Sequence, residues 1–183
     1  MKASFAGLAL IAALSLAGCA STGGRGAAAG GVDVMRTHLG QQLARAQIAV
    51  EPLNAADANN PEFAAFARAI EAQLARHGYT IAANRAQSEQ IARIDIRQGS
   101  RSALTTGWPE GLEPGETGAD QIATLLDVRI QRRSDGTVFW QGRAVTESRT
   151  GSAEAQRPAA VARLAEALFR DFPGESGRTI RVR

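Results

Sequence analysis

Apolar residues recur along the chain with two different spacings, and these spacings predict most of its secondary structure. Between Asn60 and Gly78 they recur every three or four residues, which is typical of an amphipathic helix. We expect Asn60 to be the N-cap, Pro61 the first helical residue and Gly78 the left-handed stop. The positions expected to face the core are Phe63, Phe66, Ala67, Ile70 and Leu74.

A second helix is predicted from about Pro158 to Phe172. Its apolar positions again follow the helical period, and Pro173 and Gly174 cannot continue it. The face predicted to be buried consists of Val161, Leu164, Ala165, Leu168 and Phe172.

Strict alternation of apolar and charged residues over 91–98 predicts a strand with one buried and one solvated face. Short apolar runs at 47–51, 79–81 and 179–182 predict further strands. Residues 32–45 are ambiguous, because Val32, Val34 and Leu39 are scattered among polar residues.

Residues 125–133 and 138–146 predict a hairpin around Asp135-Gly136. A two-residue turn would place apolar residues opposite polar ones, whereas a three-residue turn with a left-handed Gly136 makes one face wholly apolar. We therefore predict the second register, in which Gly142 leaves room beside the Trp140 ring. Its pairs are Ile130 with Trp140, Val128 with Gly142 and Leu126 with Ala144.

These elements predict an α+β domain over residues 46–183. The expected architecture has two layers, with a mainly antiparallel sheet of about five strands and both amphipathic helices on one of its faces.

The start of the chain has the order of an export signal: Lys2, an apolar run from Phe5 to Leu16, then Ala17 and Gly18 before Cys19. The run is too short to span a bilayer, which takes roughly 20 helical residues. The stretch 16–19 resembles the lipobox of bacterial lipoproteins.

That resemblance implies a signal peptide over 1–18, acyl chains on Cys19 and a membrane partner through this lipid anchor. An ordinary secretory signal is the alternative, and it would leave Cys19 as a free thiol. Ala20 stands where an Asp commonly retains such proteins in the inner membrane, so the resemblance implies the periplasmic face of the outer membrane. Residues 19–45 are then a flexible tether, rich in Gly and Ala at its start.

Composition argues against several function classes. The net charge of +3 is spread along the chain, without the clustered basic face of a nucleic-acid binder. The only cysteine is the lipobox residue, and His38 and His77 lie far apart, so we predict no metal site, no catalytic site and no cofactor.

The segment from Gly107 to Asp120 contains four acidic residues, no basic residue and one aromatic, Trp108. A segment of this composition gains little from folding alone, so we expect it to contribute a contact surface. Trp108 would anchor that interface, or alternatively hold the loop on its own domain. The acidic residues proposed to take part are Glu110, Glu113 and Glu116.

Gly136, Trp140 and Gly142, followed by a helix that ends at Phe172-Pro173, resemble a bacterial lipoprotein family known as domain of unknown function 4136. The resemblance covers about residues 46–183. It implies a location in the cell envelope, but it implies no molecular activity. Two hypotheses follow: a structural or interaction module that meets another envelope protein, or an accessory lipoprotein that binds a small apolar ligand or lipid. A carrier would have a sizeable apolar pocket, and an interaction module a filled core with an exposed patch.

Overall fold

The structure is a computed structural model that describes residues 30–40, 43–108 and 117–183. Its elements in chain order are β1 (Val32–His38), β2 (Gln47–Pro52), α1 (Phe63–Arg76), β3 (Thr80–Ile81), β4 (Gln90–Gly99), α2 (Arg101–Leu104), β5 (Gln121–Arg132), β6 (Val138–Arg149), α3 (Arg157–Phe169) and β7 (Thr179–Val182).

The strands form one mixed sheet in the order β3-β2-β4-β5-β6-β1-β7. β2 pairs in parallel with β3 and β4, and the other neighbouring pairs are antiparallel. The predicted α+β class is confirmed. The predicted mainly antiparallel sheet is matched roughly, since four of the six neighbouring pairs are antiparallel. The predicted count is not confirmed: the described residues form seven strands rather than five, and α2 is a third, one-turn helix.

β1 is the largest difference from the sequence analysis, which left residues 32–45 within the tether. It lies between β6 and β7 in the sheet, and Val32 and Val34 are buried. The sequence of β1 does not alternate regularly between apolar and polar residues, because Arg36 occupies an inward position and is only 2% exposed. The folded domain therefore includes residues well before the predicted boundary at 46.

α1 buries the stripe that its spacing predicts, and its five apolar residues all belong to the main core. Its first regular residue is Phe63 rather than Pro61, because residues 61 and 62 form a turn. The Asn60 side chain accepts a hydrogen bond from the Glu62 backbone N–H at 2.9 Å, as a capping side chain would.

α1 and α3 pack against each other and against one face of the sheet. Between the helices and the sheet, the side chains of Leu126, Val128, Ile130 and Trp140 have no exposed surface. α3 ends at Phe169, three residues before the predicted end, and Phe172 continues the buried face from the turn that follows.

The register of the β5–β6 hairpin is as predicted, with Ile130 opposite Trp140 and Val128 opposite Gly142. The turn differs, because the ladder shifts between Ile130 and Gln131 and leaves Phe139 as an extra residue on β6. Gly136 is left-handed, with φ of 72°. Burial of the apolar face therefore sets the register. The bulge at Phe139 takes up the one residue by which this register differs from the pairing next to the turn.

Candidate functional site

The residues predicted from the sequence to act at the membrane or in the acidic segment cannot be placed. Leu16, Ala17, Gly18 and Cys19 lie outside the described residues, and so do Glu110, Glu113 and Glu116.

Trp108 is half-buried and packs on the sheet face opposite the long helices. Its neighbours form a small apolar cluster of Leu104, Ala123, Leu125 and Val145. This contact is the one expected if the tryptophan holds the segment on its own domain.

A buried ion cluster fastens α2 beside this tryptophan. The Asp33 carboxylate accepts from Arg101 at 2.5 Å and from Arg181 at 3.2 Å, and Arg101 also lies 3.7 Å from the carboxylate of Glu147. Asp33 and Arg101 are both only 5% exposed. The start of β1 and the start of the acidic segment are therefore held together.

Trp140 connects the hairpin to the segment after α3. Its indole N–H donates to the Pro173 carbonyl at 2.9 Å, and its ring lies 5.5 Å from Phe169 and 5.2 Å from Phe172 between ring centroids. A Cβ on Gly142 would lie 2.2 Å from the indole, so a side chain there would collide with it. Trp140, Gly142, Phe172 and Pro173 thus meet in one packing unit, whereas Gly136 lies apart from it in the turn.

The segment 171–177 is also bound to β1. The Ser176 hydroxyl accepts from the His38 backbone N–H at 3.0 Å and donates to the His38 carbonyl at 3.1 Å. The His38 ring Nε2 lies 2.9 Å from the Gly174 carbonyl oxygen, and the Gly177 N–H donates to the Arg36 carbonyl at 2.8 Å.

Arg36 lies beneath this segment and donates hydrogen bonds to backbone carbonyls at the end of α3. Its guanidinium donates to the Leu168 carbonyl at 2.9 Å and to the Ala167 carbonyl at 3.2 Å, both of which lack partners within the helix. Burial lowers the pKa of Arg36, and the nearby Asp171 carboxylate opposes that shift. Gly174 is left-handed, and a Cβ there would lie 2.6 Å from the Arg36 side chain.

The segment borders a groove at one end of the sheet, which we call groove A. Its volume is about 750 Å³. It is lined by His38, Gly40, Leu43, Ala44, Arg45, Phe172 and Pro173.

A second groove, groove B, adjoins groove A at Ala44 and has a volume of about 460 Å³. It is lined by Ala44, Ala46, Gln47, Gln87, Glu89, Gln90, Arg132 and Phe139. The volumes of both grooves fall in the range of ordinary ligand and peptide sites.

Arg45 supplies positive charge to groove A. No carboxylate among residues 30–40, 43–108 and 117–183 lies within salt-bridge distance of it. The buried Tyr79 hydroxyl has no hydrogen-bond partner in the same part of the chain. Burial raises the pKa of Tyr79 to about 12, although the positive charge of Arg45 opposes the shift.

Both grooves lie at the end of the sheet opposite the point where the chain enters the domain. The entry end contains Gly31, the start of β5 at Gln121 and the end of β6 at Arg149, as the antiparallel pairing requires. The far end contains the end of β1 at His38 and the start of β6 at Val138.

The far end also carries exposed apolar side chains. Among the described residues, the two large hydrophobic side chains that are exposed are Leu39, at 81%, and Val138, at 43%. Sequence reasoning missed the grooves, because their walls come from separate parts of the chain. Groove A is formed by the β1–β2 connection and the residues after α3, and groove B by the ends of β2, β4, β5 and β6 with the residues next to them. The one available signal was the isolated Leu39 in a polar stretch.

In the part of the chain that the structure describes, no three His, Cys, Asp or Glu side chains are grouped so that they could hold a metal ion. No helix within these ranges is both long and apolar enough to cross a bilayer.

The sheet and the two helices packed on it define the protein as a two-layer α+β domain with a mixed sheet.

No family model matches the chain, so the resemblance to domain of unknown function 4136 stays a prediction. An uncharacterised protein of Zymomonas mobilis is 42% identical over 65 residues, which are 36% of this chain and 24% of that protein. This chain thus aligns with about a quarter of that relative.

Several solved structures match this chain at low sequence identity, and one of them has a TM-score above 0.5. A PDZ domain protein from Parabacteroides distasonis has a TM-score of 0.51 at 12% identity, covering 84% of this chain and 39% of its own. The PelC dodecamer of Paraburkholderia phytofirmans has a TM-score of 0.43 at 13% identity, covering 75% and 96%. A minor lipoprotein of Acinetobacter baumannii has a TM-score of 0.39 at 14% identity, covering 70% and 92%.

Proposed function

We propose that this protein is a lipid-anchored interaction module of the cell envelope, with the far end of its sheet as the contact surface. The observation that carries the proposal is the location of exposed apolar surface. The apolar side chains between helices and sheet are buried, whereas Leu39 and Val138 are exposed at the far end, where both grooves lie. Exposed apolar side chains beside grooves are typical of protein contact sites.

The address in this proposal comes from the lipobox at residues 16–19 and from Ala20. Acyl chains on Cys19 would hold the protein on the periplasmic face of the outer membrane, since two or more chains give stable anchoring. The proposal includes no catalytic activity, no cofactor and no nucleic-acid partner.

Cys19→Ser tests the anchor. Without the thiol no lipid can be attached, so we expect the variant to accumulate unprocessed or to leave the membrane fraction. Metabolic labelling with a fatty acid and fractionation after a carbonate wash measure this. An acylated, outer-membrane-bound Cys19→Ser protein would contradict the anchor.

The contact surface is tested by placing a photo-crosslinking amino acid at position 39 in the full-length protein in intact cells. We expect crosslinks to an envelope protein from this position, because Leu39 is 81% exposed at the far end. The control position is Glu166, which is exposed on α3. Equal capture from positions 39 and 166, or none from either, would count against the far end as a contact surface.

Binding of a small apolar ligand or lipid is the second candidate, and groove A is the observation that favours it. Leu43, Phe172 and Pro173 offer apolar walls, and Arg45 could pair with an anionic head group. A fluorescent fatty acid should then bind the protein, and Phe172→Asp should weaken that binding.

A further inference from the structure

We propose that groove A receives the acidic segment 109–116 of a second copy of this chain, so that copies associate head to tail. The inference rests on the proposed function, because it names the partner that meets the far end. It brings together two features that are otherwise unexplained: a groove with a cation at its wall, and an acidic segment without a basic residue.

Charge complementarity is the first step of the argument. Arg45 lines groove A, and no described carboxylate pairs with it. The segment contains three glutamates, at 110, 113 and 116, and one large apolar residue, Leu112. One of the glutamates could form an ion pair with Arg45, and Leu112 could pack against the apolar wall at Phe172.

Chain geometry excludes the same contact within one copy. The segment lies between Trp108, which packs on the domain, and Thr117, whose hydroxyl accepts from the Arg101 N–H at 2.6 Å. No point between these residues can lie more than about 16 Å from the nearer one, at 3.3 to 3.6 Å per residue.

β5 separates the two ends of the sheet. It runs from Gln121 at the entry end to Arg132 at the far end. Trp108 packs near its start, on Leu125 and on Val145 of β6, and Val145 lies five residues, or roughly 17 Å, along the sheet from Trp140, the partner of His38. Groove A adjoins that far end. Phe172 belongs to the helix side of the sheet, whereas Trp108 packs on the other side, so the reach of about 16 Å falls short of the groove of the same copy. The groove of a second copy is not subject to this limit.

The resulting interface is heterologous, because each copy offers one segment and one groove on opposite ends. Such contacts form rings when the rotation closes and open chains when it does not. In the proposed function each copy carries its own lipid on Cys19, 11 residues before Gly30. Neighbouring copies would then lie along the membrane surface.

Disulfide crosslinking of the full-length protein in its own membrane tests the inference, because Cys19 is the only natural cysteine. One chain carries both Leu43→Cys and Glu113→Cys. We expect a ladder of dimers, trimers and larger species on a non-reducing gel. Chains with a single change, expressed together with different tags, should give only the mixed dimer.

Charge reversal in the doubly substituted chain provides the specificity control. Arg45→Glu should lower the crosslinked fraction about fivefold or more, because like charges across an interface repel. Adding Glu110→Arg and Glu116→Arg to that chain should restore the ladder. Arg68→Glu, at an exposed arginine on α1, is the matched control and should leave the ladder unchanged.

Three outcomes would overturn the inference: no crosslinked species, a symmetric dimer alone, or a ladder that Arg45→Glu does not reduce. If position 39 captures a different envelope protein while no ladder forms, the contact surface stands and the self-association fails. If neither experiment gives a crosslink, both proposals fail.

Discussion

Trp140→Ala is expected to destabilise the domain by about 3 to 5 kcal/mol, the usual range for truncating a large buried aromatic. The Trp140 side chain has no exposed surface and packs against both Phe169 and Phe172. The substitution also removes the indole N–H that donates to the Pro173 carbonyl, so the segment 171–177 should become more mobile at the same time. The measurement is the urea midpoint of the purified protein, with the slope checked for constancy.

Trp140→Phe separates the two contributions. It keeps an aromatic ring in the core and removes the N–H donor, so we expect a smaller loss, of about 1 to 3 kcal/mol. An unchanged midpoint for Trp140→Ala would mean that the ring contributes nothing to the core, which would contradict the packing described above.

Arg36→Met is expected to destabilise the domain by about 2 to 4 kcal/mol. Met fills much of the same volume but donates no hydrogen bond, so the Leu168 and Ala167 carbonyls at the end of α3 lose their donors. Hydrogen bonds from charged groups contribute about 1.5 to 3 kcal/mol each, and relief of the cost of burying the guanidinium offsets part of the loss. Urea unfolding again measures the effect.

The matched control is Arg170→Met, at an exposed arginine one residue after α3. Among the residues that the structure describes, the Arg170 side chain donates to the Arg183 carbonyl alone, so its replacement should change stability by less than about 0.5 kcal/mol. Equal effects of Arg36→Met and Arg170→Met would show that the burial of Arg36 is not what supports α3.

Both predictions concern the surroundings of groove A. Trp140 and Arg36 hold the segment 171–177 from the core side, and this segment supplies Phe172 and Pro173 to the groove wall. A variant that loosens the segment should therefore also weaken whatever binds there. The crosslinking variants proposed above avoid these two residues for that reason.

Local periodicity was sufficient to predict several elements. The buried face of α1 follows from the spacing of five apolar residues, because a helix brings positions three and four apart onto one face. The β5–β6 register follows from the requirement that Ile130, Val128 and Leu126 share a face with the opposite apolar residues. In both cases the information lies within one or two adjacent elements.

The candidate site could be predicted only in part. Trp140 and Gly142 were identified from the sequence, and the collision that a Gly142 side chain would make explains why the two belong together. Groove A could not be found in this way, because Phe172 lies more than 100 residues along the chain from His38 and Arg45, and no local pattern relates them.

The sequence by itself therefore determined the amphipathic helices and the hairpin, which depend on short-range spacing. The tertiary structure decided the place of β1 and the role of Arg36. An arginine on the inward side of a strand contradicts local alternation, and it is stable there only because the end of α3, 131 residues away, presents two carbonyls that need donors. That pairing exists only after the chain has folded, so local periodicity could not predict it.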